Sequence, residues 1–129
     1  MQFQRTFSGA PWESKVGYCR ALRAGDHIYV TGTAPIDEEG RVFSPGDPYR
    51  QTQRCFEIIQ KALRALGADV TCVVRTRMFV TDITLWEEYG RAHGEVFSKI
   101  KPCTSMIEVS GLIEPDYLIE IEATAILAD

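Results

Sequence analysis

Apolar residues between positions 52 and 66 recur at spacings of four and three, which is the pattern of one face of an amphipathic α-helix. Asp47 and Pro48 precede this stretch as an N-cap and a first helical residue, and Gly67 follows it as a left-handed cap. We therefore predict a helix that begins at Pro48 and covers one face of a sheet. Its apolar stripe consists of Thr52, Phe56, Ile59, Leu63 and Leu66.

A second amphipathic segment begins at Thr84, which together with Glu87 has the spacing of a capping box. Gly90 and Gly94 lie four residues apart in this segment, and we expect them to let the helix approach a sheet or a neighbour closely. Pro102 ends the segment. Its apolar side is formed by Trp86, Tyr89, His93 and Val96.

Alternating apolar and polar residues predict six strands, with Gly25 and Asp26 as the hairpin turn between the second and the third. Residues 34–48 are rich in Pro, Gly and acidic residues and indicate a loop with a short pairing near Val42. The element order β-β-β-α-β-α-β-β predicts an α+β fold, a mixed six-stranded sheet with two helices on one face. The predicted strands are residues 3–7, 18–22, 27–32, 70–82, 105–109 and 118–127.

The second face of this sheet also carries apolar residues. In the fourth predicted strand, alternation places Val74, Thr76, Met78 and Val80 on one side and Val73, Arg75, Arg77 and Phe79 on the other. Two helices cover only one side, and an uncovered apolar face is usually buried against another subunit. We therefore expect an oligomer.

The composition is that of an ordinary globular protein. The 129 residues are enough for one domain, 1–129, and they carry 14 basic and 18 acidic side chains. A net charge of −4 without a basic aromatic groove argues against nucleic-acid binding. No run of eighteen apolar residues and no signal-like start are present, so we expect a cytoplasmic protein that does not enter a membrane.

The metal-binding residue types are few and scattered. Cys19, Cys55, Cys72 and Cys103 form no Cys-x-x-Cys pair, and the only two histidines are far apart. We predict free thiols rather than a disulfide framework or zinc site, no metal and no cofactor.

Three segments together resemble the Rid (YjgF) family, also called the endoribonuclease L-PSP family, along nearly the whole chain. They are Gly17-Tyr18, the sequence Ile-Tyr-Val-Thr-Gly at residues 28–32, and Pro-Cys-Thr-Ser-Met-Ile-Glu-Val at residues 102–109. The most specific part is the ending Ile-Glu-Ile-Glu-Ala at residues 119–123, about fifteen residues after the Pro-x-x-Ser motif.

The resemblance implies a chorismate-mutase-like fold and a homotrimer whose sheets form a central barrel. It also implies clefts between subunits that bind a small carboxylic or imino acid, and cofactor-free hydrolysis of reactive imines and enamines. Other members were labelled endoribonucleases or translation inhibitors.

Carried over residue by residue, the resemblance implies that Glu120 is catalytic and that Tyr18, Thr31 and Gly32 bind the ligand. One position departs from the family pattern: the arginine that clamps the substrate carboxylate in a Pro-x-Arg-Ser segment is Thr104 here. Met106 also replaces a frequent cysteine, and both residues are candidate ligand contacts. Threonine offers a single neutral hydrogen bond instead of a bidentate, charge-assisted one.

Each candidate also has a structural alternative. Glu120 and Glu122 are two apart on a strand and could form a solvated face, and Tyr18 could be core packing. Arg20, Arg75 or Arg77 could replace the missing cation, or all three could be surface charges. His93 is expected to be a packed histidine.

Three functions remain open: imine or enamine hydrolysis, a non-catalytic metabolite-binding or regulatory trimer, and, less favoured, RNA cleavage.

Overall fold

A computed structural model describes residues 2–128, so Met1 and Asp129, the two ends of the predicted domain 1–129, lie outside the described residues. Six strands form one sheet in the order β1-β2-β3-β6-β4-β5. β4 and β5 pair in parallel and all other pairs are antiparallel, which confirms the predicted mixed six-stranded α+β architecture. The elements are β1 (Phe3–Thr6), α1 (Pro11–Val16), β2 (Ala21–Ala24), β3 (His27–Thr33), α2 (Pro48–Ala65), β4 (Val73–Val80), α3 (Trp86–Phe97), β5 (Cys103–Glu108) and β6 (Ile119–Ile126).

The predicted capping and apolar stripe of α2 are confirmed. The Asp47 side chain accepts a hydrogen bond from the backbone N–H of Arg50, and Pro48 is the first helical residue. Gly67 has a φ of +85°, a conformation that glycine adopts without strain. The helix packs on β3 and β6 and beside α3, so its apolar face forms the core with the sheet.

Gln51 is a polar residue on the buried side of α2, and no part of it is exposed. Its Nε2 donates to the carbonyl oxygen of Asp116 at 3.0 Å, while its Oε1 accepts from the backbone N–H of Leu118 at 2.8 Å. These bonds fix the segment that leads into β6, because buried backbone groups need partners.

The start of α3 differs from the predicted capping box at Thr84. Asp82 caps a short 3₁₀ turn at Ile83–Leu85 by accepting from the N–H of Thr84, and α3 begins only at Trp86 without a side-chain cap. The expectation of a close approach at Gly90 and Gly94 is also wrong within this chain. A Cβ atom added at either glycine would meet no atom within 4 Å.

β4 contains an irregularity that alternation does not predict. Its pairing with β6 shifts register between Val73 and Arg75, so Val73 lies in the core and Val74 is 40% exposed. The prediction that Val74 lies on the same face of the sheet as Thr76 is therefore wrong. The extra residue of a β-bulge reverses the face to which each preceding side chain of the strand points. Thr76, Met78 and Val80 are buried as expected.

The sequence pattern does not indicate the third helix, α1, and the predicted second strand begins three residues before the observed one. α1 is only six residues long and ends at Gly17, whose φ is +94°. β2 begins at Ala21, so residues 18–20 form a connection instead of the start of a strand. A helix of six residues spans too few turns to show a helical period in the sequence.

The sheet face opposite α2 and α3 is uncovered in the described chain. Exposed apolar side chains on it include Tyr29, Ile107 and Ile126, and an ion pair of 3.2 Å joins Arg77 to Glu122 on the same face. Among residues 2–128, no helix has the length and apolar character required to cross a membrane.

Candidate functional site

A cavity of about 160 Å³ lies where α1, β3 and the start of β6 meet. Its polar groups come from Tyr18, Arg20 and Glu120, and Gly32 forms part of its floor. The apolar wall consists of Trp12, Val16, Ile36, Ile58, Ile113 and Tyr117. A mostly apolar cavity with a few convergent polar groups is the usual form of a small-molecule site.

Glu120 lies on β6 with its carboxyl group against the backbone of Gly32. A Cβ atom at residue 32 would be 3.0 Å from both Cδ and Oε2 of Glu120, so only glycine leaves the carboxyl its present place. Burial raises the pKa of Glu120, while Arg20 lowers it and Glu122 raises it to smaller extents. A carboxyl group with a raised pKa is suited to accept and return a proton near neutral pH.

Arg20 is held rigidly beneath the cavity. It is 6% exposed, so the interpretation of Arg20 as a surface charge is wrong. Its Nε donates to Oε2 of Glu13 at 3.1 Å, and its Nη1 donates to the carbonyl oxygen of Gly32 at 2.9 Å and to Oγ1 of Thr33 at 3.2 Å. The guanidinium therefore joins the first turn of α1 to the irregular part of β3.

Glu13, the partner of Arg20, was not identified from the sequence. It is 4% exposed and also accepts hydrogen bonds from the backbone N–H of Ser8, at 3.0 Å, and from the Ser8 hydroxyl. Burial alone would raise its pKa, but the hydrogen bonds from Ser8 and Arg20 outweigh burial and lower the pKa below its usual value. No periodic pattern marks Glu13, because it lies on the short α1.

Tyr18 lines the cavity beside Arg20, whose Cζ is 5.7 Å from the centre of the tyrosine ring. Thr31 does not line it. The hydroxyl of Thr31 donates to the carbonyl oxygen of Cys19 at 2.8 Å, which ties β3 to the connection before β2. The structure thus brings together Tyr18, Gly32 and Glu120, with Arg20, but leaves Thr31 in a backbone contact.

Thr104 and Met106 lie elsewhere in the chain. Thr104 is in register with Thr76, and Glu120 is in register with Phe79, three residues further along β4. Side chains alternate along a strand, so Thr104 and Glu120 point to opposite faces of the sheet. Met106, two residues after Thr104, packs against the core on the helix side.

Thr104 belongs to a separate hydrogen-bond chain at the helix-covered face. The buried Thr76 hydroxyl donates to the Thr104 hydroxyl at 2.7 Å and lies 2.8 Å from Nε2 of His93. The His93 ring packs against Phe56 and Phe97, and burial lowers its pKa. The interpretation of His93 as a packed, hydrogen-bonded histidine is confirmed.

The other two candidate cations remain at the surface. Arg75 and Arg77 are exposed on β4, and Arg77 pairs with Glu122. Neither lines the cavity. Both are surface charges in the single chain, and their replacement of the missing arginine in a cleft between subunits stays a prediction.

Metal-ligating side chains are scattered in the described part of the chain, and the cysteines range from the buried Cys55 to the exposed Cys103. Residues 2–128 contain no group of three or more His, Cys, Asp or Glu side chains that could share a metal ion. The four cysteines are free thiols, as predicted. Cys55 is fully buried, and burial raises the pKa of its thiol, which keeps it protonated and unreactive.

Comparisons with known proteins agree with the fold and its motifs. The sequence model of the family described as Endoribonuclease L-PSP matches residues 9–127. An uncharacterized protein of Streptomyces coelicolor is 34% identical over 95% of this chain and 90% of its own length. A 3-aminoacrylate deaminase, RutC, of Acinetobacter baylyi is 32% identical over 84% of this chain and 85% of its own length.

A solved structure from Mycobacterium tuberculosis, of a member of the YjgF/YER057c/UK114 family, is 43% identical to this chain. It has a TM-score of 0.89 and covers 98% of this chain and 100% of its own. The family match spans nearly the whole chain, and relatives above 30% identity span most of it. The chain therefore belongs to the Rid (YjgF) family, whose sequence model bears the description Endoribonuclease L-PSP.

Proposed function

We propose that this protein is a cofactor-free homotrimer that hydrolyses reactive imines or enamines to a carbonyl compound and ammonia. The observation that carries the proposal is the carboxyl group of Glu120, half-buried in a small cavity with a raised pKa. The relationship to a 3-aminoacrylate deaminase supports this class of reaction.

Glu120 has the properties that the reaction needs. Hydrolysis begins when water adds to the carbon of the C=N bond, and Glu120 accepts a proton from that water as the C–O bond forms. The proton then passes to nitrogen, the C–N bond breaks and ammonia leaves as the C=O bond forms. No electrons are gained or lost overall, so the chain needs no redox partner for this step.

The trimer supplies the other half of the cleft in this proposal. The uncovered sheet face, with Tyr29, Ile107 and Ile126, is suited to bury its apolar side chains in a chorismate-mutase-like central barrel. Thr104 and Met106 lie away from the cavity of their own chain, and in this proposal they line the cleft of a neighbouring copy. Each cleft would then combine Glu120 of one subunit with Thr104 of another.

A second candidate is a non-catalytic, metabolite-binding or regulatory trimer. The replacement of the clamping arginine by Thr104 favours it, because a bound acid would lose its bidentate partner. RNA cleavage is less favoured, since a net charge of −4 gives a polyanion little attraction.

One experiment separates these functions. Imines generated in place by an amine or amino-acid oxidase are followed by ammonia release with and without the protein, and light scattering gives the assembly mass. We expect faster release than in buffer and three times the chain mass. If ammonia release is equally fast with and without the protein over a range of parent amines and amino acids, the proposed hydrolysis is wrong and the non-catalytic binding trimer is favoured. A monomeric mass would contradict the cleft between subunits.

A further inference from the structure

The charges around the cavity do not balance. Arg20 and Glu120 are its only charged lining residues among those described, and Arg20 already forms a buried ion pair with Glu13. The pair carries no net charge, so Arg20 compensates the ionised carboxyl group of Glu120 only in part, and the pKa of Glu120 stays raised. A ligand carboxylate would add a second negative charge in a partly desolvated space, where like charges repel strongly.

Arg20 also lacks the geometry of a carboxylate clamp. Its Nε is used by Glu13, and its Nη1 is used by Gly32 and Thr33. Nη2 has no hydrogen-bond partner within residues 2–128, yet no fully buried side-chain nitrogen in that range lacks a partner, so Nη2 keeps some exposed surface. Arg20 lines both this cavity and a neighbouring one, and Nη2 is the one guanidinium nitrogen left for a ligand in either. A bidentate grip on a carboxylate needs two neighbouring guanidinium nitrogens, whereas Nη2 alone offers a single-point contact.

We infer that the cavity selects imines that carry no carboxylate group and that it disfavours 2-imino acids. The selected imine binds in its protonated form or as the uncharged imine or enamine from which that form arises. The inference rests on the proposed function, because it assumes that the ligand reacts beside Glu120. It changes the substrate class expected from the family resemblance, since a carboxylic or imino acid no longer fits the charges.

The chemistry of the cavity fits such a ligand. The carboxylate of Glu120 attracts the positive charge of an iminium ion, which is the form that water attacks most readily. A volume of about 160 Å³ is similar to that of a cavity that holds benzene, so a short alkyl or small ring substituent fits the apolar wall. In the proposed trimer, Thr104 of the neighbouring subunit adds no charge.

Three probes of nearly equal shape test the inference without requiring turnover. Propionamidine is cationic, propionamide is neutral and propionate is anionic, and each carries the same ethyl group on a planar carbon. Calorimetric or NMR titration of the whole protein at neutral pH should give propionamidine at least a tenfold higher affinity than propionate. Tighter binding of propionate would overturn the inference, and so would the absence of binding by all three.

Two variants assign the preference to the charges named. Glu13→Gln removes the partner of Arg20, and Glu120→Gln removes the carboxylate that lines the cavity. Each should raise propionate affinity at least fivefold and lower propionamidine affinity by a similar factor. If Glu13→Gln does not fold, the affinities of the Glu120→Gln variant alone test whether these charges set the preference. The control is Glu87→Gln, an exposed carboxylate in the first turn of α3 that does not line the cavity, which should leave the preference unchanged.

Turnover then separates this inference from the proposed function. Imines made from propylamine and from alanine are compared in the ammonia assay. A preference for propionamidine without hydrolysis of either imine would support the inference and overturn the proposed reaction. Hydrolysis of only the alanine imine, with propionate as the best probe, would overturn the inference and support the reaction.

Discussion

Gly32 and Glu120 touch across the junction of β3 and β6, with no room for a single additional carbon atom between them. β3 loses its regular register with β6 between Val30 and Thr33, and Gly32 lies within that irregular part. The irregular backbone therefore does two things: it receives the guanidinium of Arg20 on its carbonyl oxygen, and it leaves space for a carboxyl group.

Gly32→Ala should move the carboxyl group of Glu120 and lower imine hydrolysis at least tenfold. The φ of Gly32 is not positive, so alanine adopts the backbone conformation and the effect is confined to the contact with Glu120. Steady-state kinetics and thermal unfolding measure the two effects. The control is Gly94→Ala in α3, which enters open space and should raise stability by about 1 kcal/mol with unchanged kinetics. Unaltered turnover in the Gly32 variant would contradict the placement of Glu120 at the reacting atoms.

Glu120→Gln should lower imine hydrolysis by about a hundredfold, because the amide cannot accept the proton of water. It should also raise stability at neutral pH. The folded-state pKa of Glu120 is raised, so its contribution to stability is complete below the unfolded pKa and is lost as pH rises through the folded pKa. Urea unfolding at about pH 4 and at about pH 7.5 should therefore show a stability gain for glutamine only at the higher pH. If the glutamine variant gains the same free energy of unfolding at both pH values, ionisation of Glu120 does not destabilise the folded protein.

Thr76→Val should destabilise the protein by about 1–2 kcal/mol, since it removes the hydroxyl beside Nε2 of His93 and leaves a half-buried ring nitrogen without its partner. Thr104→Val is the matched change at the exposed end of the same chain, and it leaves Thr76 bonded to His93. Its cost should be under about 0.5 kcal/mol. Denaturant unfolding measures both, and equal costs would contradict the greater importance of the buried bond.

Thr104→Arg should create an affinity for carboxylates that the parent protein lacks. In the proposed trimer the new guanidinium enters a neighbour's cleft and forms charge-assisted bonds, so propionate affinity should rise about tenfold or more. Thr104→Lys supplies charge without the planar fork and should gain less. Loss of trimer mass in the arginine variant would instead show that other side chains fill this space.

The elements with a repeating pattern were predictable from the sequence. α2 has a cap, a first-position proline and a stripe of regular spacing, and all three lie where they were expected. α1 and the bulge at Val74 were not predictable, because a short helix and one extra residue leave no periodic signal. The pairing of Glu13 with Arg20 was missed for a related reason: it joins a residue of the short α1 to one in the connection before β2, and sequence spacing carries no information about it.

Gln51 extends the influence of α2 to the reacting group. Its side-chain amide fixes Leu118 at the entrance of β6, and Glu120 follows two residues later. The depth at which the carboxyl group enters the cavity is thus set in part by a side-chain amide that does not line the cavity. Two homologues with identical cavity linings could differ in rate through this one helical position. A library made to change the chemistry of the cavity should therefore include residue 51 together with the residues of the wall.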